Sequence, residues 1–379
     1  MKVTFCSDIS PYHDNKIFDK SVAGKYPGAL WLSFYEQLAK KKGVEVVTGD
    51  VALSNLQAGY WKPTDILVIQ ELDAQHGKKL IGLGAFPFLL LGLESPLYAY
   101  DFYDHVQEIA PLFKHRVLFS GIFKTFHGSS GFNHLCRFPS YNVQDLQKVE
   151  NWAKRKFLVM VANNKYFEKP YPWPYPKYPT EHFDWIKDKW NKCSSYTRKI
   201  AIKNELINKR LEAIEYFGQK KRLNLYGRGW DDLTRLPQKW QRRLRKILAN
   251  LKPKGCVDKV KTISRFKFSI CFENVSYRGY VTEKIIDCFV AGVIPIYLGA
   301  PDIADFVPAD SFIDMRAFDS FKHLNNFLTK MTQQDALKMI SAGRRFLQSP
   351  EGKLHSHLEM AKFILGLILQ SLSGQKVGH

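Results

Sequence analysis

Short apolar runs alternate with amphipathic stretches over the first 150 residues. Positions 2–6, 44–47, 65–70, 88–93 and 116–119 read as β-strands, and apolar spacing predicts helices over 29–42 and 98–113. Strands separated by helices argue for a parallel sheet in an α/β fold. A second run of the same kind opens with a strand at 157–161 and continues through 223–226. The pattern therefore divides the chain into 1–150, 151–350 and a C-terminal segment 351–379, with 141–154 as the connection and a helix predicted over 354–369. Between 165 and 200, Tyr171-Pro172-Trp173-Pro174-Tyr175-Pro176 excludes a regular element and predicts a surface insertion or lid.

The densest information lies between Phe266 and Gly299. A strand at 268–272 ends on Glu273-Asn274, and Ser276-Tyr277-Arg278-Gly279 breaks the pattern. Thr282 is placed to cap a helix whose buried face is Ile285, Ile286, Phe289 and Val290, and Gly292 closes it before a strand at 293–298. In doubly wound folds nucleotides bind where such a strand ends and the next helix begins. Lys284 stands in the first helical turn, where the helix dipole disfavours a cation, so its charge asks for a partner or an anionic ligand. Glu283 is a candidate acceptor for a ribose diol, and Tyr280 a candidate to stack on or hydrogen-bond the nucleotide. Gly279 would let the backbone approach closely. Asn163 and Asn274, at strand ends, are candidate donors to phosphate or ribose.

Phe272-Glu273-Asn274, then Tyr280-Val281-Thr282-Glu283-Lys284, then Gly292-Val293-Ile294-Pro295-Ile296-Tyr297-Leu298-Gly299 resembles the donor-site signature of the α1,3/α1,4-fucosyltransferase family. Pro308, Ser311-Phe312-Ile313 and Phe318 resemble its continuation. The resemblance implies a GT-B fold, with two Rossmann-like domains facing a central cleft, and transfer of fucose from GDP-fucose with inversion. It implies no required cofactor, with non-essential stimulation by a divalent cation left open. The acceptor it implies is an oligosaccharide or lipid-linked glycan, at O3 of N-acetylglucosamine or glucose in a surface glycan. Glu94-Ser95-Pro96, after an apolar strand, matches the family's Glu-Ser-Pro, whose glutamate is its proposed base. A carboxylate at that edge is expected to be partly desolvated, with a raised pKa. Arg210, opening a helix before a strand and Tyr226-Gly227, resembles the family's phosphate-binding arginine, and Arg198 is its rival. A GT-B enzyme using another nucleotide sugar remains the alternative.

Charge adds a second theme. Residues 154–262 carry 28 Lys/Arg against 10 Asp/Glu, a net +18 of the chain's +20. A nucleic-acid surface, an anionic membrane and attraction of an anionic donor compete as explanations, and no recognised nucleic-acid module accompanies the charge. Arg242, Arg243, Arg245 and Lys246 fall on a helix whose Leu244, Ile247 and Leu248 face inward, so a solvated basic face or peripheral membrane contact is expected. The six cysteines show no CxxC spacing, and Cys271 and Cys288 read as buried thiols. Asp231-Asp232 reads as a helix cap rather than a metal site, and His127 and His134 as surface-loop residues. MKVTFC reads directly as a strand, with no apolar signal core. The expectation is a cytoplasmic protein, peripheral at the inner face of the membrane.

Overall fold

Six strands, β1 (Lys2–Cys6), β2 (Glu45–Thr48), β3 (Ile66–Glu71), β4 (Phe86–Leu91), β5 (His115–Leu118) and β6 (Phe132–Leu135), form a parallel sheet in the order β2-β1-β3-β4-β5-β6. Five more, β7 (Lys156–Val161), β8 (Leu223–Tyr226), β9 (Phe266–Ile270), β10 (Ile294–Tyr297) and β11 (Ile313–Asp314), form a second parallel sheet, β11-β10-β9-β7-β8. The computed structural model describes residues 1–26, 28–123, 131–149, 151–164 and 195–373. The aromatic and proline-rich stretch up to residue 194, and His127, lie outside the described residues.

Parallel strands need cover on both faces, which explains why their apolar residues run consecutively instead of alternating. Phe88, Leu89, Leu90 and Leu91 of β4 are all fully buried. The helix Trp31–Lys41 packs Trp31 and Tyr35 into the same core, with Phe5 edge-on to Trp31 at 6.3 Å. Predicted strand ends move by no more than two residues. Two short edge strands were unforeseen: β6, which pairs with β5, and the two-residue β11, which pairs with β10. His134 is therefore a strand residue and not a loop residue. It lies 3.2 Å from His115 Nδ1 through its Nε2, and burial lowers the pKa of both imidazoles.

The C-terminal helix, His357–Ser373, returns to the N-terminal sheet. Its Ile364 and Ile368 are fully buried in the core that holds Trp31 and Phe88, Phe363 meets His134 edge-on, and Lys114 Nζ donates to Ser371 Oγ at 3.0 Å. Two sequence-distant ends are thus one hydrophobic unit. The basic helix Gln238–Leu251 buries Trp240, Leu244, Ile247 and Leu248 and exposes Arg242, Arg245 and Lys246, as its spacing predicts. No helix among the described residues is long and apolar enough to cross a membrane.

Replacing Ile364 by Ala opens a cavity in this shared core. Chemical denaturation should show a loss of about 2–4 kcal/mol, as for other buried large-to-small changes. A loss under about 0.5 kcal/mol, the scale of an exposed site, would show that the helix does not pack as described.

Candidate active site

The carboxyl ends of β7, β8 and β9 open into a cavity of about 940 Å³, lined by Asn163, Arg210, Arg228, Asn274, Glu283 and Lys284 among others. That volume suits a nucleotide-sized ligand. The turn after β8 approaches β7 closely: Gly227 has φ 140°, and a Cβ there would lie 1.9 Å from the Ala162 carbonyl oxygen. Asn163 Oδ1 accepts from the Arg228 amide at 2.9 Å, so this asparagine holds the cavity wall together.

The first turn of the helix Glu283–Ala291 is organised by a residue the sequence reading passed over. Glu273, fully buried, follows β9 and projects its carboxylate under the helix start. Its Oε1 accepts from the Thr282 amide at 2.9 Å, and both oxygens receive the Thr282 hydroxyl at 3.0 and 2.9 Å. Lys284 Nζ lies 3.0 Å from Oε2 and 2.9 Å from Thr282 Oγ1. Thr282 thus occupies the N-cap position, but its side chain makes no capping bond; the hydroxyl is committed to Glu273. This corrects the capping role expected of it. The unfavourable placing of Lys284 against the helix dipole is offset by a carboxylate 3.0 Å away. The available signal was an acid ending a buried apolar strand.

Glu283 faces the cavity with Lys284 Nζ at 3.6 Å and Lys259 Nζ at 3.5 Å. Burial pushes its pKa up, but Lys284 and Lys259 outweigh that and bring it to about 2. Arg210 Nε donates to the Phe272 carbonyl at 3.1 Å and Nη2 to Asn274 Oδ1 at 2.9 Å, which fixes the guanidinium plane at the cavity wall. Burial lowers its pKa, although arginine stays charged at any working pH. The rival Arg198 lies over the Tyr100 ring at 5.3 Å, against the N-terminal half, and does not line the cavity. Asn274 also donates through Nδ2 to the Tyr280 hydroxyl at 3.4 Å.

Three expectations need correction. Tyr280 is only 2% exposed and lies edge-on to Phe119 at 5.1 Å, so its ring fills the junction between the halves instead of stacking on a ligand. Gly279 makes its close approach to Ser120, not to the cavity: a Cβ would lie 2.5 Å from the Ser120 nitrogen. Its amide donates to Asp302 Oδ1 at 2.9 Å, while Ser120 Oγ donates to Asp302 Oδ2 at 2.9 Å. Glu94, finally, is exposed. Its Oε1 accepts from the Ser95 amide at 2.7 Å, and the Tyr103 hydroxyl holds its carbonyl oxygen at 2.7 Å. The desolvated carboxyl at this edge is Glu71, at the end of β3, whose pKa is raised by burial and then by Glu94. The two acids are thus electrostatic neighbours at the carboxyl edge of the first sheet.

Elsewhere the simple readings hold. Asp232 caps the turn Leu233–Arg235, accepting from the Thr234 amide at 3.0 Å. Cys271 and Cys288 are buried free thiols, and burial pushes Cys271 up.

Glu283 gives a pH test. A depressed folded-state pKa means that its charge-dependent contribution is complete above the ordinary carboxylate range, near 4.5, and disappears only as pH falls through about 2. Between pH 5 and 9, nucleotide binding by the wild type should show no inflection that Glu283→Gln removes. An inflection near pH 5 that this substitution abolishes would contradict the assigned ionisation. A second test concerns Glu273→Gln, which leaves Lys284 without its buried counter-charge. A destabilisation of about 3–5 kcal/mol is expected in denaturant titrations, and less than about 1 kcal/mol would contradict the arrangement.

Residues 191–339 match the model of the glycosyltransferase family 10 (fucosyltransferase) C-terminal part. The Helicobacter pylori α-(1,3)-fucosyltransferase FucT is 32% identical over 124 residues, which is 32% of this chain and 26% of that protein. Human α-(1,3)-fucosyltransferase 7 is 39% identical over 88 residues, 22% of this chain and 26% of that protein. The matched region covers about a quarter of each relative's own length. In fold, Anabaena HepE, solved with UDP and glucose, superposes over 99% of this chain and 100% of that one, with a TM-score of 0.56 at 10% identity. The two parallel sheets are those of a GT-B architecture. The segment matched by the fucosyltransferase C-terminal model, less than half of the chain, contains Arg210, Glu273 and the Thr282-Glu283-Lys284 turn.

Proposed function

We propose that this protein transfers fucose from GDP-fucose to a sugar hydroxyl, with inversion. The observation that carries the reading is the convergence of Arg210 and of Lys284, locked by Glu273, on one cavity at the start of the Glu283–Ala291 helix. Two fixed cations beside helix amides suit a diphosphate, both in the bound donor and as the leaving group.

The reaction is a single displacement. Glu94 removes the proton of the acceptor hydroxyl, and that oxygen attacks the anomeric carbon of fucose on the face opposite GDP. The bond from that carbon to the β-phosphate oxygen breaks, and GDP departs with its new charge facing Arg210 and Lys284. Glu283 receives the ribose hydroxyls. An exposed Glu94 is compatible with this role, because a bound acceptor would itself cover the carboxylate and raise its proton affinity. The acceptor class is a glycan bearing N-acetylglucosamine or glucose, reacting at O3. The basic helix Gln238–Leu251 suits peripheral contact with an anionic membrane on the cytoplasmic side, where a lipid-linked acceptor would be presented.

Glu94→Gln should lower transfer about 10²–10⁴-fold, the range for loss of a general base, with GDP-fucose affinity unchanged. Turnover that survives, or affinity lost in parallel, would remove Glu94 from this role. Lys284→Ala should weaken GDP about tenfold or more in calorimetry, as for loss of a charge-assisted bond. An unchanged affinity would reject its phosphate role. GDP-mannose or a UDP-sugar consumed in preference to GDP-fucose would transfer the reading to another donor.

A further inference from the structure

Lys259 was not singled out by its sequence context, yet it stands at the centre of the ionic cluster behind the nucleotide cavity. It is the first residue of the helix Lys259–Ile263, whose Asp258 cap accepts from the Lys261 amide at 2.9 Å, so its backbone is fixed. Its Nζ lies 2.7 Å from Asp287 Oδ2 and 3.5 Å from Glu283 Oε1, and its side chain lines the cavity. Glu283 and Asp287 are four residues apart on one helix and therefore share a face. Two carboxylates so placed repel, and both are largely withdrawn from water, at 21% and 7% exposure. Asp287 shows the consequence: burial and the Glu283 charge push its pKa up. Its other oxygen is held by Ser140 Oγ at 2.5 Å, which leaves Lys259 as the bridge between the acids.

A ribose diol donates two hydrogen bonds, and a carboxylate that carries a proton is a poorer acceptor for them. Without Lys259, Glu283 would confront Asp287 with only Lys284 to balance the pair, and Lys284 is already engaged with Glu273. We infer that Lys259 is a positioning residue for ribonucleotide selection: it holds the Glu283 carboxylate toward the cavity as the acceptor of a ribose diol. This rests on the reading of the cavity as a guanosine diphosphate site. The role is specific to the diol, and it predicts no loss of contacts to base or diphosphate.

The test compares GDP with 2′,3′-dideoxy-GDP by calorimetry, in the wild type, Lys259→Met, Lys259→Arg, Glu283→Gln and the Lys259→Met/Glu283→Gln double variant. Thermal melts confirm that each is folded. The wild type should prefer GDP by about tenfold or more, the scale of hydrogen bonds to a charged group. Lys259→Met should cut that preference to about threefold or less by weakening GDP alone, with the dideoxy analogue unaffected. The double variant should lose nothing beyond Glu283→Gln, because the two act through one contact. Lys259→Arg, which keeps the charge, should retain most of the preference. If Lys259→Met does not fold, Lys259→Gln takes its place. The inference is overturned if both nucleotides weaken equally, if the preference survives, or if the two substitutions add. A wild type that binds both nucleotides equally removes the ribose role of Glu283 as well. A wild type that binds neither refutes the donor reading itself.

Discussion

Glu273 has no exposed surface, and an ionised carboxylate in such a place persists only when donors converge on it. Here the convergence is what shapes the site. The Thr282 amide and hydroxyl and the Lys284 ammonium all point at one buried acid, so the loop after β9 and the first turn of the following helix cannot move independently. The cation near the proposed diphosphate position is therefore preorganised. A lysine on a free helix start would lose rotamer freedom on binding, whereas this one has already been ordered by folding. Arg210 is tied to the same strand end through the Phe272 carbonyl and Asn274. Both cations thus depend on where β9 stops.

That strand end is also where the two sheets communicate. Asp302 accepts from Gly279 in the loop after β9 and from Ser120 after β5, and Gly121 donates to the Arg278 carbonyl at 3.2 Å. Tyr280, from the same loop, packs on Phe119. Ser140, just before the connection, reaches Asp287 on the helix that carries Glu283 and Lys284, and the C-terminal helix packs into the core of the first sheet that also holds Tyr280. The loop that shapes the cavity is therefore gripped by the half that carries Glu94. A proposed base and a proposed leaving-group site are held in register by contacts that a slip between the halves would break.

Much of this was legible in the chain. Consecutive apolar residues located most of the strands to within two residues, because buried parallel strands leave little room for polar interruptions. The helix over 283–291 and its closing Gly292 were readable for the same reason. β6 was not, since Asn133 and His134 sit in an edge strand with only one neighbour and no apolar run to mark it. The residue types of the site were also visible, but not all of their directions. Thr282 in sequence is a cap; only the fold shows that Glu273 reaches its hydroxyl first. Tyr280 has the composition of a stacking residue, and only the proximity of Phe119 assigns it to the junction. Glu94 and Glu71 end neighbouring strands, so a sequence pattern could not tell which of them is withdrawn from water.

The central claim is that this cavity presents the anomeric carbon of a GDP-bound fucose to a hydroxyl activated on the opposite face. The most direct measurement is the anomeric configuration of the first-formed product from GDP-β-L-fucose and an N-acetylglucosamine-containing oligosaccharide, followed by proton NMR at early times. The account predicts an α-linked fucoside. A β-linked product, or no fucoside from GDP-fucose while another nucleotide sugar is consumed, would contradict it.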